Sequence, residues 1–406
     1  MRLLDDYRNV RARTVALAAP LSAEDQMVQT MAEASPTKWH LAHTTWFFET
    51  FVLGPFVAGY QPVDAHYGFL FNSYYEGVGP RVERARRGEL SRPALAEVQD
   101  YRRRVDTAME RVLGTELPAA AAATVVLGLH HEQQHQELLL TDAKHALGTQ
   151  PLRPAYQPPA PAPTPAAPRP AQFRRFEAGV VSVGHAGDGF AFDNEGPRHR
   201  HFLEAFALAD RPVTCAEYLA FMRDGGYARP ELWLSDGWQR VQAERWRAPL
   251  YWEERDGAWH LYTLGGVRPI DPAEVVAHVS YYEADAFARW AGARLPTEEE
   301  WEHAAAGAPL TGHFADAGRY HPGPAAPGAA FGNVWQWTQS AYLAYPGFRP
   351  PAGAIGEYNG KFMSGQMVLR GGSCFTPAGH IRATYRNFFP PETRWQMSGL
   401  RLARDT

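Results

Sequence analysis

His131 and His135 stand four residues apart in the run Leu127-Gly-Leu-His-His-Glu-Gln-Gln-His-Gln-Glu-Leu-Leu-Leu140. On a helix this spacing puts both imidazoles on one face, about a turn apart, where they can reach one metal ion. Val125, Leu127, Leu129, Leu138 and Leu139 supply apolar surface to bury the segment. A surface helix gains little from His-His-Glu-Gln-Gln-His, whereas a metal cavity between packed helices needs such side chains. The pair requires a third ligand from elsewhere. Alone, His43 would read as a core histidine bonded to a backbone carbonyl. Beside a His-x3-His helix it reads as the third ligand, because Trp39, Trp46, Phe47 and Phe51 predict a buried segment where an unsatisfied imidazole is costly. His40 is the alternative on the same segment. Three neutral imidazoles with open positions suit Fe(II) and equally suit zinc. Glu137 is a candidate to orient a ligand imidazole.

Other residues could serve such a metal. Tyr74 and Tyr75 are candidate proton or electron donors. The cluster Arg81, Arg84, Arg86 and Arg87 could hold a substrate carboxylate bidentately, with at least two of the four expected to be solvated charges. In Thr384-Tyr-Arg-Asn-Phe-Phe-Pro-Pro391, Asn387, Phe388 and Phe389 could face an aromatic, quaternary-ammonium substrate through amide and cation–π contacts. Gly332-Asn-Val-Trp-Gln-Trp-Thr338 reads as core scaffolding.

These side chains need elements to place them. Residues 1–150 predict four long helices packed as a four-helix bundle. Leu3 to Ala18 is helical in character, and Ser22-Ala-Glu-Asp25 resembles a capping box opening the next helix. Ser35 as N-cap and Pro36 at the first helical position start the His43 helix, and Pro93 to Leu113 carries Val98, Tyr101, Val105 and Met109 on one face. A long connection, Tyr67 to Pro80, lies between the second and third helices. Residues 151–172 are Pro/Ala-rich, which forbids helix or central strand and predicts a semi-rigid linker. From Phe173 onward, short apolar runs alternate with Gly, Pro and Asn, predicting an α+β unit over 173–406 with helices at Cys215–Arg223 and Tyr281–Trp290.

The bulk composition sets outer bounds. A chain of 406 residues exceeds one compact core. Its 45% hydrophobic and 21% charged content is that of a globular protein, and a net charge of -4 gives no electrostatic case for nucleic acid or an anionic membrane. Twelve Trp, eighteen Tyr and twenty-one Phe fit loop-rich architecture with pockets for planar or cationic ligands. With only Cys215 and Cys374, a disulfide framework is not expected, and the charged N-terminus and lack of a membrane-length apolar run predict a cytoplasmic protein.

Across nearly its whole length the chain resembles the ergothioneine-biosynthesis sulfoxide synthases. Trp39-His-Leu-Ala-His43 and His131-Glu-Gln-Gln-His135-Gln-Glu137 look like their DinB-like N-terminal domain. Pro212-Val-Thr-Cys-Ala-Glu-Tyr218, Arg294-Leu-Pro-Thr-Glu-Glu-Glu-Trp301, Gly332 to Thr338 and Leu369-Arg-Gly-Gly-Ser373 resemble the formylglycine-generating-enzyme fold, a C-type-lectin-like variant that would complete the substrate pocket. The resemblance implies a non-haem iron(II) enzyme that joins hercynine to a thiol using O2 and oxidises the sulfur to a sulfoxide. It implies His43, His131 and His135 as iron ligands and Gln134 and Asn387 as hercynine contacts. The mycobacterial branch carries an acidic residue where this chain has Phe389, and a catalytic tyrosine in a region where this chain offers Tyr358 and Phe362 without a clear match. Phe71-Asn-Ser-Tyr-Tyr75 resembles the branch that uses tyrosines of the N-terminal domain and accepts free cysteine. Cysteine is therefore expected rather than γ-glutamylcysteine, with Tyr74 and Tyr75 as donors, and Arg84 and Arg87 ahead of Arg81 as carboxylate anchors.

Three rivals differ in chemistry. A selenoneine- or ovothiol-type synthase would share both domains. A copper-dependent formylglycine-generating enzyme would need a close cysteine pair, and Cys215 and Cys374 are far apart in sequence. A zinc-dependent thiol transferase or binding module would keep the histidines without oxygen chemistry.

Overall fold

A computed structural model describes residues 2–159 and 169–406, so the central part of the Pro/Ala-rich stretch, 160–168, lies outside the described residues. The chain forms two compact units. The first comprises Met1–Gln157 together with Pro351–Tyr358, and the second comprises Pro158–Pro350 and Asn359–Thr406. The expectation that 173–406 would be one unit is corrected at Pro351–Tyr358. The Glu357 carboxylate accepts the backbone N–H of Glu76 (3.0 Å) and of Gly77 (2.7 Å), which ties this segment to the loop after Tyr75.

The first unit is helical: α1 (Arg2–Ala18), α2 (Thr37–Phe48), α3 (Gly54–Phe56), α4 (Tyr67–Phe71), α5 (Leu95–Leu113) and α6 (Ala119–Thr149). α1, α2, α5 and α6 are the four long ones, and α2 packs against both α5 and α6. Every residue of α2 is buried, its polar ones held by partners: Lys38 Nζ donates to Leu90 O and Pro93 O, and Thr45 Oγ1 to Leu41 O. α5 instead buries a stripe of Val98, Tyr101, Arg102, Val105, Met109 and Leu113. Gly128 of α6 permits a close approach to α2: a Cβ there would lie 2.6 Å from the Phe48 ring. No helix among the described residues is long and apolar enough to cross a membrane.

Three local expectations change. Ser22 and Asp25 do exchange capping hydrogen bonds, 3.0 and 3.1 Å long, but open only a 3-10 turn at Asp25–Met27, since Val28 turns the backbone extended. The N-cap of α2 is Pro36, not Ser35. Ser35 is buried, and its backbone N–H donates to the Asp142 carboxylate at 2.8 Å. The long connection contains α4, and a 3-10 helix at Arg84–Glu89 follows it.

The second unit has fourteen short strands among its described residues. They are β1 (Phe173–Phe176), β2 (Gly179–Val183), β3 (His199–Leu203), β4 (Phe206–Ala209), β5 (Trp252–Arg255), β6 (Ala258–Thr263), β7 (Gly266–Pro269), β8 (Gly312–His313), β9 (Phe331–Gly332), β10 (Trp335–Ala341), β11 (Met367–Arg370), β12 (Asn387–Phe389), β13 (Ser398–Leu400) and β14 (Ala403–Asp405). The largest sheet runs β12-β11-β10-β13, antiparallel except for the parallel β10–β13 pair. Trp335 and Trp337 of β10 are fully buried, so Gly332–Thr338 is core. Helices α7 (Cys215–Arg223) and α9 (Tyr281–Trp290) match expectation, and each opens with a capping box, Thr214–Glu217 and Ser280–Glu283. α8 (Ser235–Glu244) and α10 (Glu298–Ala305) were not anticipated. Glu298 is buried between Arg370 and Arg386, with ion pairs of 2.8 Å to each.

Candidate metal centre

His43 from α2 meets His131 and His135 from α6. All three are buried, and one donor nitrogen of each lies within 4.8 Å of the other two. Ring centroids are 4.6 to 5.0 Å apart, and His43 Nε2 lies 3.2 Å from His131 Nε2. The His43 ring is stacked between Trp39 (4.5 Å) and Trp46 (5.5 Å), which fixes its plane.

The end of α4 sets the tautomer of His43. The last carbonyls of a helix lack intrahelical donors. Trp39 Nε1 donates to Leu70 O at 3.1 Å, and His43 Nδ1 donates to Phe71 O at 2.6 Å. A carbonyl only accepts, so Nδ1 carries the proton and Nε2 of the neutral ring presents a bare lone pair. Burial holds His43 well below the ordinary histidine range, with His131 adding to the effect. Burial likewise pushes His131 down to about 3, and pushes His135 well down. All three are therefore neutral bases at physiological pH. The 3.2 Å contact is satisfied by His131 Nε2–H donating to His43 Nε2. Replacing that proton with a divalent cation leaves imidazole nitrogens converging from two helices, a donor set that fits iron(II) or zinc. Bound there, such a metal would supply Lewis acidity and open positions for substrate and oxygen.

His40 is not a third ligand. Its Nε2 is bonded to Asp142 Oδ2 at 2.9 Å, and its Nδ1 faces His135 Nδ1 at 2.9 Å. Sequence reasoning weighed this residue only as a substitute for His43. Glu137 is half-buried, and its carbonyl accepts the hydroxyl of Thr141.

Three tyrosines stand around the histidines. Tyr75 is fully buried 5.7 Å from Trp46, and burial, followed by neighbouring Tyr74, holds its phenol protonated well above the ordinary range. Tyr74 lies 4.8 Å from Tyr75 and 6.1 Å from Tyr358. Tyr358, left without a role by the sequence, packs its ring 5.8 Å from His131, and its hydroxyl donates to Gln134 Oε1. Arg87 is buried, with its guanidinium 3.5 Å above Trp39 and donating to Ser35 Oγ (2.9 Å) and Ser73 Oγ (3.0 Å). Its Nε is buried without a partner, and no carboxylate pairs with it among the described residues. Burial, then Arg84, lowers its affinity for its proton. Arg84 and Arg86 are exposed, while Arg81 is half-buried and paired to Glu76. In the second unit, Asn387, Phe388 and Phe389 form β12 and are half-buried. Asn387 Oδ1 accepts the N–H of Phe388, and the Phe388 ring is stacked on Tyr342 at 4.0 Å, so one of its faces is already covered. Cys215 and Cys374 are both buried.

Residues 160–330 and 328–406 match the profile of the sulfatase-modifying factor enzyme 1-like domain. The chain is thus an enzyme-fold protein in which this domain accompanies a helical unit bearing a three-histidine site. Hercynine oxygenase from Mycobacterium tuberculosis is 34% identical over 400 residues, 91% of each chain. The chain belongs to the hercynine oxygenase family and is an oxidoreductase. Hercynine oxygenase from Mycolicibacterium thermoresistibile is 38% identical over 257 residues, 56% of each chain. Ergothioneine biosynthesis protein 1 of Schizosaccharomyces pombe is 25% identical over 235 residues, 53% of this chain and 28% of that one.

Proposed function

We propose that this protein catalyses iron(II)- and O2-dependent C–S bond formation between hercynine and L-cysteine, giving hercynylcysteine sulfoxide in ergothioneine biosynthesis. A hercynine C–H and a cysteine S–H are exchanged for a C–S bond. One oxygen atom enters as the sulfoxide, and the other leaves as water with the two hydrogens. The reading rests above all on three buried, neutral imidazoles whose nitrogens converge within 4.8 Å of one another.

The chain's own residues supply the rest. Gln134, one residue before the ligand His135, is proposed to contact hercynine, with Tyr358 fixing its side chain through the hydrogen bond to Oε1. Tyr74 and Tyr75 are the proposed donors, and a phenol kept protonated by burial can release a proton only to a partner created during the reaction. Arg87 is the proposed anchor for the cysteine carboxylate, because a buried guanidinium without a carboxylate is completed by an anionic ligand. Arg81 and Arg84 are weaker candidates, being tied to Glu76 and exposed respectively. The substrate roles of Asn387, Phe388 and Phe389 rest on the resemblance alone, as does reading the helical unit as a DinB-like four-helix bundle.

The test is reconstitution of the full chain with Fe(II) without oxygen, addition of hercynine and cysteine, admission of O2, and mass spectrometry of the products. Expected is a conjugate weighing the two substrates minus two hydrogens plus one oxygen, absent with His135→Ala. Product formed only with γ-glutamylcysteine or a selenium donor would overturn the cysteine assignment, and no product with any donor would overturn the function.

A further inference from the structure

The hydrogen-bonded chain Asp142–His40–His135 joins α6 to α2 and back to α6. Asp142 Oδ2 is a carboxylate acceptor 2.9 Å from His40 Nε2, so that nitrogen carries the proton. With the ring proton on Nε2, Nδ1 of His40 is the acceptor, 2.9 Å from Nδ1 of His135. Of two facing nitrogens one must donate, so His135 Nδ1 is protonated and its Nε2 is left bare. All three side chains are buried, so water does not compete for these bonds. Asp142 is itself anchored by the Ser35 N–H at the start of α2.

We infer that Asp142 and His40 are positioning residues for the metal centre: they select the tautomer of His135 that directs a lone pair at the metal, and they hold its ring in plane. The inference rests on the proposed metal centre. His43 receives the same service from the Phe71 carbonyl. Two ligands are thus oriented by different means, one by a backbone acceptor and one by a carboxylate acting through an intervening imidazole. Partners of this kind typically govern metal affinity 10–100-fold.

The test uses the full metal-free chain, with Co(II) as probe. Affinity is measured by chelator competition, and the solvent-exchangeable, paramagnetically shifted imidazole N–H protons of the loaded protein are recorded by NMR. His40→Leu and Asp142→Asn are expected to bind Co(II) roughly 10–100-fold more weakly. His40→Gln should stay near the parent, because its amide oxygen can accept from His135 Nδ1 while its N–H reaches Asp142. His40→Leu should also lose one shifted N–H resonance through fast exchange, which a merely structural defect would not do selectively. Thermal unfolding without metal is followed in parallel, and should His40→Leu fail to fold, Asp142→Asn decides. Equal affinity of the Leu and Gln variants, or unchanged affinity and N–H signals in Asp142→Asn, would overturn the inference and leave the metal centre standing. A parent that binds no Co(II), indistinguishable from His131→Ala, would overturn both.

Discussion

His131 and Glu132 are chain neighbours on α6, equally buried, and they meet opposite electrostatic fates. His131 faces His43 and His135, and burial pushes its basicity down to about 3, so it stays neutral. Glu132 points about 100° around the helix, into a site where burial alone would raise its pKa. There Arg102 (2.5 Å) and Arg11 (2.9 Å) override burial and hold the carboxyl down at about 2, ionised. Burial is the same on both faces, so the partners decide the charge. One face keeps its nitrogens bare for a cation. The other spends the charge of one carboxylate binding α1 and α5 to α6.

Exchanging the consequences of the two faces tests this contrast. His131→Ala should reduce bound metal to near zero and abolish oxygen-dependent conjugate formation, while the metal-free chain unfolds close to the parent in urea. Glu132→Gln should do the reverse first: two buried guanidiniums lose their counter-charge, at a cost of ~3–5 kcal/mol in urea unfolding. A loss below ~1 kcal/mol would show that the Arg11–Glu132–Arg102 cluster does not hold the helices. Smaller again is Gly128→Ala, whose methyl would push into Phe48 at the α2–α6 crossing, costing ~1–3 kcal/mol and weakening metal affinity by separating His43 from His131.

The contrast also appears in pH dependence. The unfolded imidazole of His131 protonates near 6.5 and the folded one near 3, so in that window the unfolded chain binds more protons. Metal-free stability therefore falls as pH drops from 6.5 towards 3, by up to ~1.4 kcal/mol per pH unit for this group. Glu132, at 4.5 unfolded and about 2 folded, adds its loss only below pH 4.5. Stability curves from denaturant titrations should lose slope near pH 5–6 in His131→Ala, and only below 4.5 in Glu132→Gln. Identical curves for the two variants would remove the distinction between the faces.

What the sequence disclosed follows from how local each signal is. His-x3-His is a one-helix pattern, and α7 and α9 announce themselves by Ser/Thr-x-x-Glu boxes. Thr297-Glu-Glu-Glu300 carries the same pattern and marks α10, which could have been found; α8 begins at Ser235 with Leu234 as its N-cap, which offers no side-chain cap. Arg11 and Arg102 fall within the helical spacing of Tyr7–Thr14 and Val98–Val105, the available sign that they are buried rather than solvated. His40 could not be placed by spacing, because its role depends on Asp142, remote in sequence. Tyr358 was obscured for the same reason: its neighbours His131, Gln134 and Tyr74 are brought to it only by the tertiary fold.

Pro351–Tyr358 has a practical consequence for anyone dissecting or recombining this chain. A gene fragment ending at Gln157 would encode all three imidazoles and both tyrosines of the Phe71–Tyr75 loop, yet omit Tyr358 and the carboxylate that caps Glu76 and Gly77. Chimaeras between relatives must therefore transplant two separate stretches together, or the helical half arrives with its neighbour of Gln134 drawn from another protein.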